Sequence, residues 1–473
     1  MKRFFQKKVT KIVSVALSTI LITGIAAGCG EKGEDKDEKG RTVISVGGWP
    51  TKDGPSKDNA EAIRARFEQA NQDVVVEPDS WSFDLKTFYA KAAGGRLPTV
   101  YNANFTEVSQ IISAGYSADI TDALKKYNIY DKINKKVLNL ISKDGKTYAY
   151  PSASYLLGLA YNVDIFEKAG LMEADGTPKQ PKDWNEVLEF ALRIKETTGK
   201  TGFLFPTTSN YGGWMFTSIA WGFGVCFMEQ DNNGKWKAKF DSPECAEALQ
   251  WIKDLKWKYD VIPANTLING TEYYKLFGIG EAGMLLVPGD FARRLPTYDM
   301  KPEQIGIMAM PSGPKKHVTL MGGGVFAISN KATKDQSDAG VRWLQTTETP
   351  NATDEYKLNL ENEIKKKVGQ NELVTIKGFS QWSDDSEAVK FSDEMRTKYA
   401  NANMNHVRLY NEFVENLGDC EIRPEEPVCA QELYGVFDNC IQEVLTNKDA
   451  DPATILAKAK SDFQSNYLDN LDY

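Results

Sequence analysis

The chain has 473 residues, with 57 basic and 65 acidic side chains and a net charge of −8. That length supports two or three domains with large cores, and the acidic balance argues against a nucleic-acid surface or a charge-driven membrane surface. Aromatic residues make up 11% of the chain, including 10 Trp and 20 Tyr, enough to spare some from the core for a ligand.

Lys2, Arg3, Lys7, Lys8 and Lys11 form a basic N-terminal region. An apolar stretch from Ile12 to Ala27 follows, short for a bilayer span, and ends in Ala26-Ala27-Gly28-Cys29. This order predicts a signal peptide over residues 1–28. It resembles a bacterial lipoprotein leader, which implies that Cys29 is lipid-modified and becomes the first residue. The alternative is an ordinary secreted protein with a chance cysteine. Loss of the leader's five cations takes the net charge from −8 to −13. Residues 29–40 are charged and carry no large apolar side chain, so they read as a flexible tether. Two acyl chains would hold such a protein stably at a membrane, where one would not.

The folded part opens with a β-branched strand, Arg41–Val46, running into Gly47-Gly48-Trp49-Pro50. Ala62, Ile63, Phe67 and Ala70 recur at helical spacing and predict a helix over about 59–71. A strand at Val74–Glu77, a helix at Phe83–Ala93 and a strand at Pro98–Tyr101 follow. Strand and helix alternate as a parallel sheet with crossover helices requires, an α/β fold. Ligands of such sheets sit beyond the carboxyl ends of the strands. That places Trp49 with Asp53 after the first strand, Trp81 after the second, and Asn102 and Asn104 after the third as candidate binding residues. Further on, Asp183 is a good N-cap for a helix beginning at Trp184. Asp231-Asn232-Asn233-Gly234 reads as a hairpin turn, and Met284–Val287 as a strand.

Several motifs occur together in a fixed order: Gly145–Pro151, Leu159–Leu171, Pro181–Val187, Phe277–Met284, Pro288–Phe291, Gly322–Ser329 and Asp451–Ala459. This succession resembles the extracellular solute-binding proteins of carbohydrate ABC importers, the broad family that includes the maltodextrin-binding proteins. The resemblance covers about Thr42 to Asp469 and is weakest between Asn351 and Pro424. It implies a periplasmic-binding-protein-like fold, two α/β lobes with a multi-crossing hinge and a ligand cleft between them. By it, residues 41–153 with 324–377 form one lobe and residues 154–323 with 378–473 the other. The implied function is to bind a sugar or oligosaccharide without altering it and to deliver it to the transmembrane permease subunits. The implied setting is the outer face of the membrane, a lipid-anchored monomer with no cofactor. A binder of another small polar solute, such as a peptide or polyamine, and a tethered glycan-active enzyme are the alternatives.

A sugar needs aromatic faces for its C–H surfaces and planar amide or carboxylate groups for its hydroxyl pairs. Besides the residues after the first three strands, three places supply that mixture. Tyr155 falls where the family puts a ligand contact at the first crossing. Asn210, Tyr211 and Trp214 enter a helix, and Asp290 and Phe291 follow the Met284–Val287 strand. Trp382 either lines the cleft or anchors the segment around it. Gly323 lets backbone approach the ligand or lets the hinge flex. Trp184, Trp251, Trp257 and Trp343 recur on helical faces with aliphatic residues and read as packing.

Other chemistry finds little support. Gly278–Gly283 satisfies GxGxxG, but a helix precedes it and a strand follows, the reverse of a dinucleotide site. Only His317 and His406 are present, and neither belongs to a catalytic or metal motif; His317 lies in a polar turn and reads as solvated. Cys226, Cys245, Cys420, Cys429 and Cys440 are odd in number, which excludes a complete disulfide framework. Cys420 and Cys429 either bridge or stay as buried thiols.

Overall fold

The computed structural model describes residues 35–471, so the predicted leader and Cys29 lie outside the described residues. Residues 35–40, expected to be a loose tether, instead fold back on the first strand. Lys36 forms a bridge with Thr42, and its Nζ donates to Thr42 Oγ1 and to Asp335, both at 2.8 Å. Asp37 pairs with Arg41. These contacts are polar and bury no apolar core, so composition gave no sign of them.

Strand β1 (Thr42–Val46) is followed by α1 (Pro55–Ala70), β2 (Val74–Pro78), α2 (Leu85–Ala93), β3 (Val100–Asn104) and α3 (Phe105–Ser113). Helix α1 starts four residues earlier than its apolar spacing indicates, because Pro55 at its first turn has no N–H to leave unpaired. β1 pairs in parallel with both β2 and β3. The chain then runs through β4 (Tyr150–Asn162), α4 (Trp184–Thr198), β5 (Thr201–Leu204), α5 (Tyr211–Phe223), α6 (Pro243–Trp257), α7 (Gly270–Gly278), β6 (Ala282–Pro288), β7 (Ile305–Met308) and β8 (Val318–Ile328). Near the C-terminus lie β9 (Glu421–Arg423) and α8 (Ala430–Thr446). The expected hairpin is present, with Met228–Gln230 antiparallel to Trp236–Ala238.

The strands form one nine-stranded sheet in the order β2-β1-β3-β8-β4-β6-β5, with β7 on β4 and β9 on β8. β4 and β8 are long for a reason visible in their pairing. The first part of β4, from Tyr150 to Leu156, pairs with β8, and Leu157–Tyr161 pairs with β6. β8 in turn pairs with β9 over Val318–Leu320 and with β3 over Gly324–Ile328. These two antiparallel strands therefore carry the chain from the β2-β1-β3 half of the sheet to the β6-β5 half. Their register slips between Gly324 and Val325. Gly323 has φ +144°, and a Cβ there would sit 2.0 Å from the Ala153 carbonyl oxygen, so the crossing accepts only glycine.

β6 is buried at every position, as a central strand should be. Asp183 caps α4, accepting from the N–H of Asn185 and Glu186, and Gly199 ends it in the left-handed region. α5 packs on α8 through glycine: a Cβ on Gly213 would lie 2.1 Å from the Tyr434 carbonyl oxygen.

The segment after Asn351, where the motifs are silent, folds into helices at Asp354–Gly369, Glu387–Lys398 and Arg408–Glu415. Buried Lys377 joins two of them, pairing with Asp393 at 2.9 Å and Glu415 at 2.7 Å. Between the first and second of these helices, residues 379–382 are fastened along β4. Ser154 Oγ donates to the Phe379 carbonyl at 2.9 Å, and Gln381 Nε2 donates to the Ser152 carbonyl at 2.6 Å. All five described cysteines are free thiols, so Cys420 and Cys429 do not bridge.

Candidate ligand-binding site

The polar and aromatic residues that converge do so beside the β4–β8 crossing. Tyr155 is on β4, opposite Gly322 on β8. A Cβ on Gly322 would meet the Tyr155 ring at 2.3 Å, so glycine makes room for the phenol. Burial pushes the Tyr155 hydroxyl well above its usual range, with Glu425, Asp290, Tyr274 and Tyr211 adding to the effect. Tyr155 is thus close to groups from α5, α7, the turn after β6 and the loop after β9.

Helix α5 supplies the aromatic wall. Tyr211 and Trp214 meet edge to face at 5.8 Å. They are held by α8, where buried Asp438 accepts from Asn210 N at 2.6 Å and Gly213 N at 2.8 Å. Asn210 itself, at φ 67°, gives its side-chain amide to the Gln431 carbonyl at 3.0 Å. Its role here is to join two helices, and its amide is spent on doing so.

Three acids complete the site, and none of them was among the residues expected. Glu107 is in the first turn of α3 and only 6% exposed. Burial, reinforced by Glu432, pushes its carboxyl up to about 7. Glu425, in the loop between β9 and α8, is pushed up to about 7 by burial and by Glu107; Tyr434 and Trp214 act in the other direction. Yet Tyr434 Oη and Trp214 Nε1 are both buried without a hydrogen-bond partner, as is Tyr89 Oη on α2. Tyr434 and Trp214 turn toward Glu425 without closing a bond of ordinary geometry. A cavity of about 390 Å³ opens beside this loop, between α3, residues 139–143 and Arg423–Pro427.

The other expected residues fall elsewhere. Trp49 is 8% exposed; its indole stacks on Trp343 at 6.0 Å and donates to Glu61. Phe291 has no exposed surface and packs toward Phe277, and Trp382 is buried edge-on against Tyr150. These three rings belong to the core, because each follows a strand end or turn that dives inward. Asp53 is exposed and paired with Lys57, in a shallow hollow of about 450 Å³ with Gly48 and Ser82. Trp81 lies half-buried over Phe88, and Asn102 Oδ1 accepts from Phe83 N at 3.3 Å to hold the same loop. Asn104 is exposed at the start of α3, and Asp290 is exposed and paired with Arg293 at 3.1 Å. His317 is not simply solvated: its ring nitrogens meet Asp419 and the Met310 carbonyl.

A larger cavity, about 680 Å³, lies between α4 and α6, lined by Trp184, Trp251 and Tyr259. None of the expected residues lines it, and convergence of unpaired polar groups, rather than volume, identifies the site by the crossing. Among the described residues there is no cluster able to hold a metal ion, and no helix long and apolar enough to cross a membrane.

The model of the bacterial extracellular solute-binding protein family matches residues 52–349, and the chain belongs to that family. A binding protein of Brucella abortus is 23% identical over 286 residues, 59% of this chain; the match spans 64% of that relative's length. The maltodextrin-binding protein MdxE of Bacillus subtilis is 22% identical over 339 residues, covering 70% of this chain and 75% of that protein. Among solved structures, maltose-bound MalE3 of T. maritima superposes with a TM-score of 0.61 at 19% identity, over 90% of this chain and 99% of that one. The fold is accordingly the periplasmic-binding-protein-like α/β fold of that structure.

Proposed function

We propose that this chain is the solute receptor of an ABC importer and that it takes a sugar or oligosaccharide. The carrying observation is the convergence of Tyr155, Tyr211 and Trp214 with unpaired donors at Trp214 Nε1 and Tyr434 Oη beside the crossing strands. Rings of that kind cover sugar C–H faces, and donors and carboxylates of that kind satisfy hydroxyl pairs. The names of the relatives, a maltodextrin-binding protein among them, agree with this reading.

In this reading residues 41–153 with 324–377 and residues 154–323 with 378–473 act as two lobes that close on the solute. A ligand that touches both lobes binds the closed form better and shifts the population toward it by its differential affinity. The closed monomer then presents its cargo to the permease subunits. Cys29, lipid-modified, would keep the receptor at the outer face of the membrane. No step alters the solute.

The test is a thermal-shift panel of neutral and charged oligosaccharides, followed by calorimetry on those that raise the melting temperature. A saturable rise with at least one saccharide, and no new reducing ends after long incubation, is the expected result. New reducing ends would make the protein an enzyme, and an unresponsive melting temperature across the panel would remove saccharides as the cargo.

A further inference from the structure

The site beside the crossing is acidic in an unusual way. Glu107 from α3 lies within electrostatic reach of both Glu432 from α8 and Glu425 from the loop after β9. Among the described residues none of the three makes an ion pair with a lysine or arginine. Lys143 lies at the rim of the cavity beside Glu425, exposed and, among the described residues, outside any ion pair, and the arginines around the site are engaged with other groups. Arg423 lies 3.9 Å from Glu426 and over the Trp221 ring, Arg293 is paired with Asp290, and Arg294 lies over Tyr274. Glu107 is buried and Glu425 and Glu432 are half-buried; holding carboxylates together there without a counter-charge is costly, and the cost is relieved by a proton or by a cation.

A second, independent observation points to a ligand rather than to proton uptake alone. Tyr434 is 2% exposed and its hydroxyl has no partner, although it faces Glu425. Trp214 Nε1, beside Glu425, and Tyr89 Oη, beside Glu107, are orphaned as well. A buried hydroxyl and a buried indole N–H left unpaired cost about 1–3 kcal/mol each. Carboxylates, a phenol and aromatic faces together form the recognition set for a protonated amine carried on a ring.

We propose that the solute bound between Glu107, Glu425 and Tyr434 carries a protonated amine, so that the favoured cargo is an amino sugar or a short oligomer of one. This rests on the saccharide reading above and narrows it. The carboxylates take the ammonium, Tyr434 Oη and Trp214 Nε1 donate to neighbouring hydroxyl oxygens, and the Trp214 and Tyr211 rings lie against the sugar faces.

Calorimetry on the full chain with four probes tests it: the glucosamine trimer, its fully N-acetylated counterpart, maltotriose and spermidine. The glucosamine trimer is expected to bind at least tenfold more tightly than the acetylated one, with an affinity that falls as salt rises from 50 to 500 mM. Glu107→Gln and Glu425→Gln are expected to bring that ratio close to one. If a variant fails to fold, the salt dependence of the unmutated chain still decides. Equal or tighter binding of the acetylated trimer or maltotriose overturns the amine proposal and leaves the saccharide reading standing. Binding of spermidine but of no saccharide instead removes the saccharide reading, and absence of binding by any amine removes the proposal.

Discussion

Asp438, on α8, closes the first turn of α5: its carboxylate accepts from the N–H of Asn210 and of Gly213, 228 and 225 residues away in the chain. A cap supplied by another helix orders the start of α5, and with it Tyr211 and Trp214. Asp438→Ala removes the acceptor from two backbone donors and is expected to destabilise the fold by about 1–3 kcal/mol. The urea unfolding midpoint measures it, and Asp438→Asn, which keeps one acceptor oxygen, should lose less.

Gly323→Ala tests the crossing. Its φ of +144° is strained for any side chain, and the added methyl would meet the Ala153 carbonyl. A loss of at least about 2 kcal/mol is expected from the conformation and the collision together. Thermal unfolding of the variant beside Gly324→Ala provides the control, because a Cβ at Gly324 finds its nearest neighbour at 3.6 Å.

Trp214→Ala should weaken binding of whichever saccharide the panel identifies by at least about 1 kcal/mol, the contribution of a packed aromatic contact. Calorimetry reads it directly. Unchanged affinity would take Trp214 out of the binding surface.

The raised carboxyls give stability a definite dependence on pH. Glu107 and Glu425 titrate at about 7 in the folded chain against an ordinary 4.5, so between these values the unfolded chain holds fewer protons. Stability is therefore complete below about pH 4.5, falls as pH rises to 7, and levels off above that. A melting temperature at least about 2 °C lower at pH 8 than at pH 5 is expected, from the size of the two shifts and the usual entropy of unfolding. The double variant Glu107→Gln, Glu425→Gln should reduce the difference without abolishing it, since Glu348 is also pushed up to about 7 by burial. Glu244 and Glu361, held down at about 2, titrate outside this window.

Much of the scaffold was legible because its signals are local. β-branched runs marked β1 and β2, and an unbroken apolar run marked β6, to within two residues; Asp183 announced its own cap, and Asp231–Gly234 its own turn. Of the expected aromatics, Tyr155 on β4 and Trp214 in the first turn of α5 stay only half-buried beside the crossing. Trp49, Phe291 and Trp382 each lie just past a strand or turn, but their chains turn inward. A short window cannot tell a ring that faces a ligand from one that faces Trp343 or Tyr150. Glu107, Glu425 and Tyr434 gave no signal, because what distinguishes them is a meeting of segments more than 300 residues apart. An acid on a helix is ordinary until another acid is folded against it.

Gly322 has a quieter effect on Tyr155. With no side chain below it, the phenol rests on main chain belonging to a hydrogen-bonded strand rather than on neighbouring rotamers. Its height above the sheet is set by the backbone of β8 and stays put when core residues elsewhere are exchanged. Relatives with repacked interiors but a glycine at this place would offer their cargo the same fixed reference surface, and would vary their preferences through the residues around its rim.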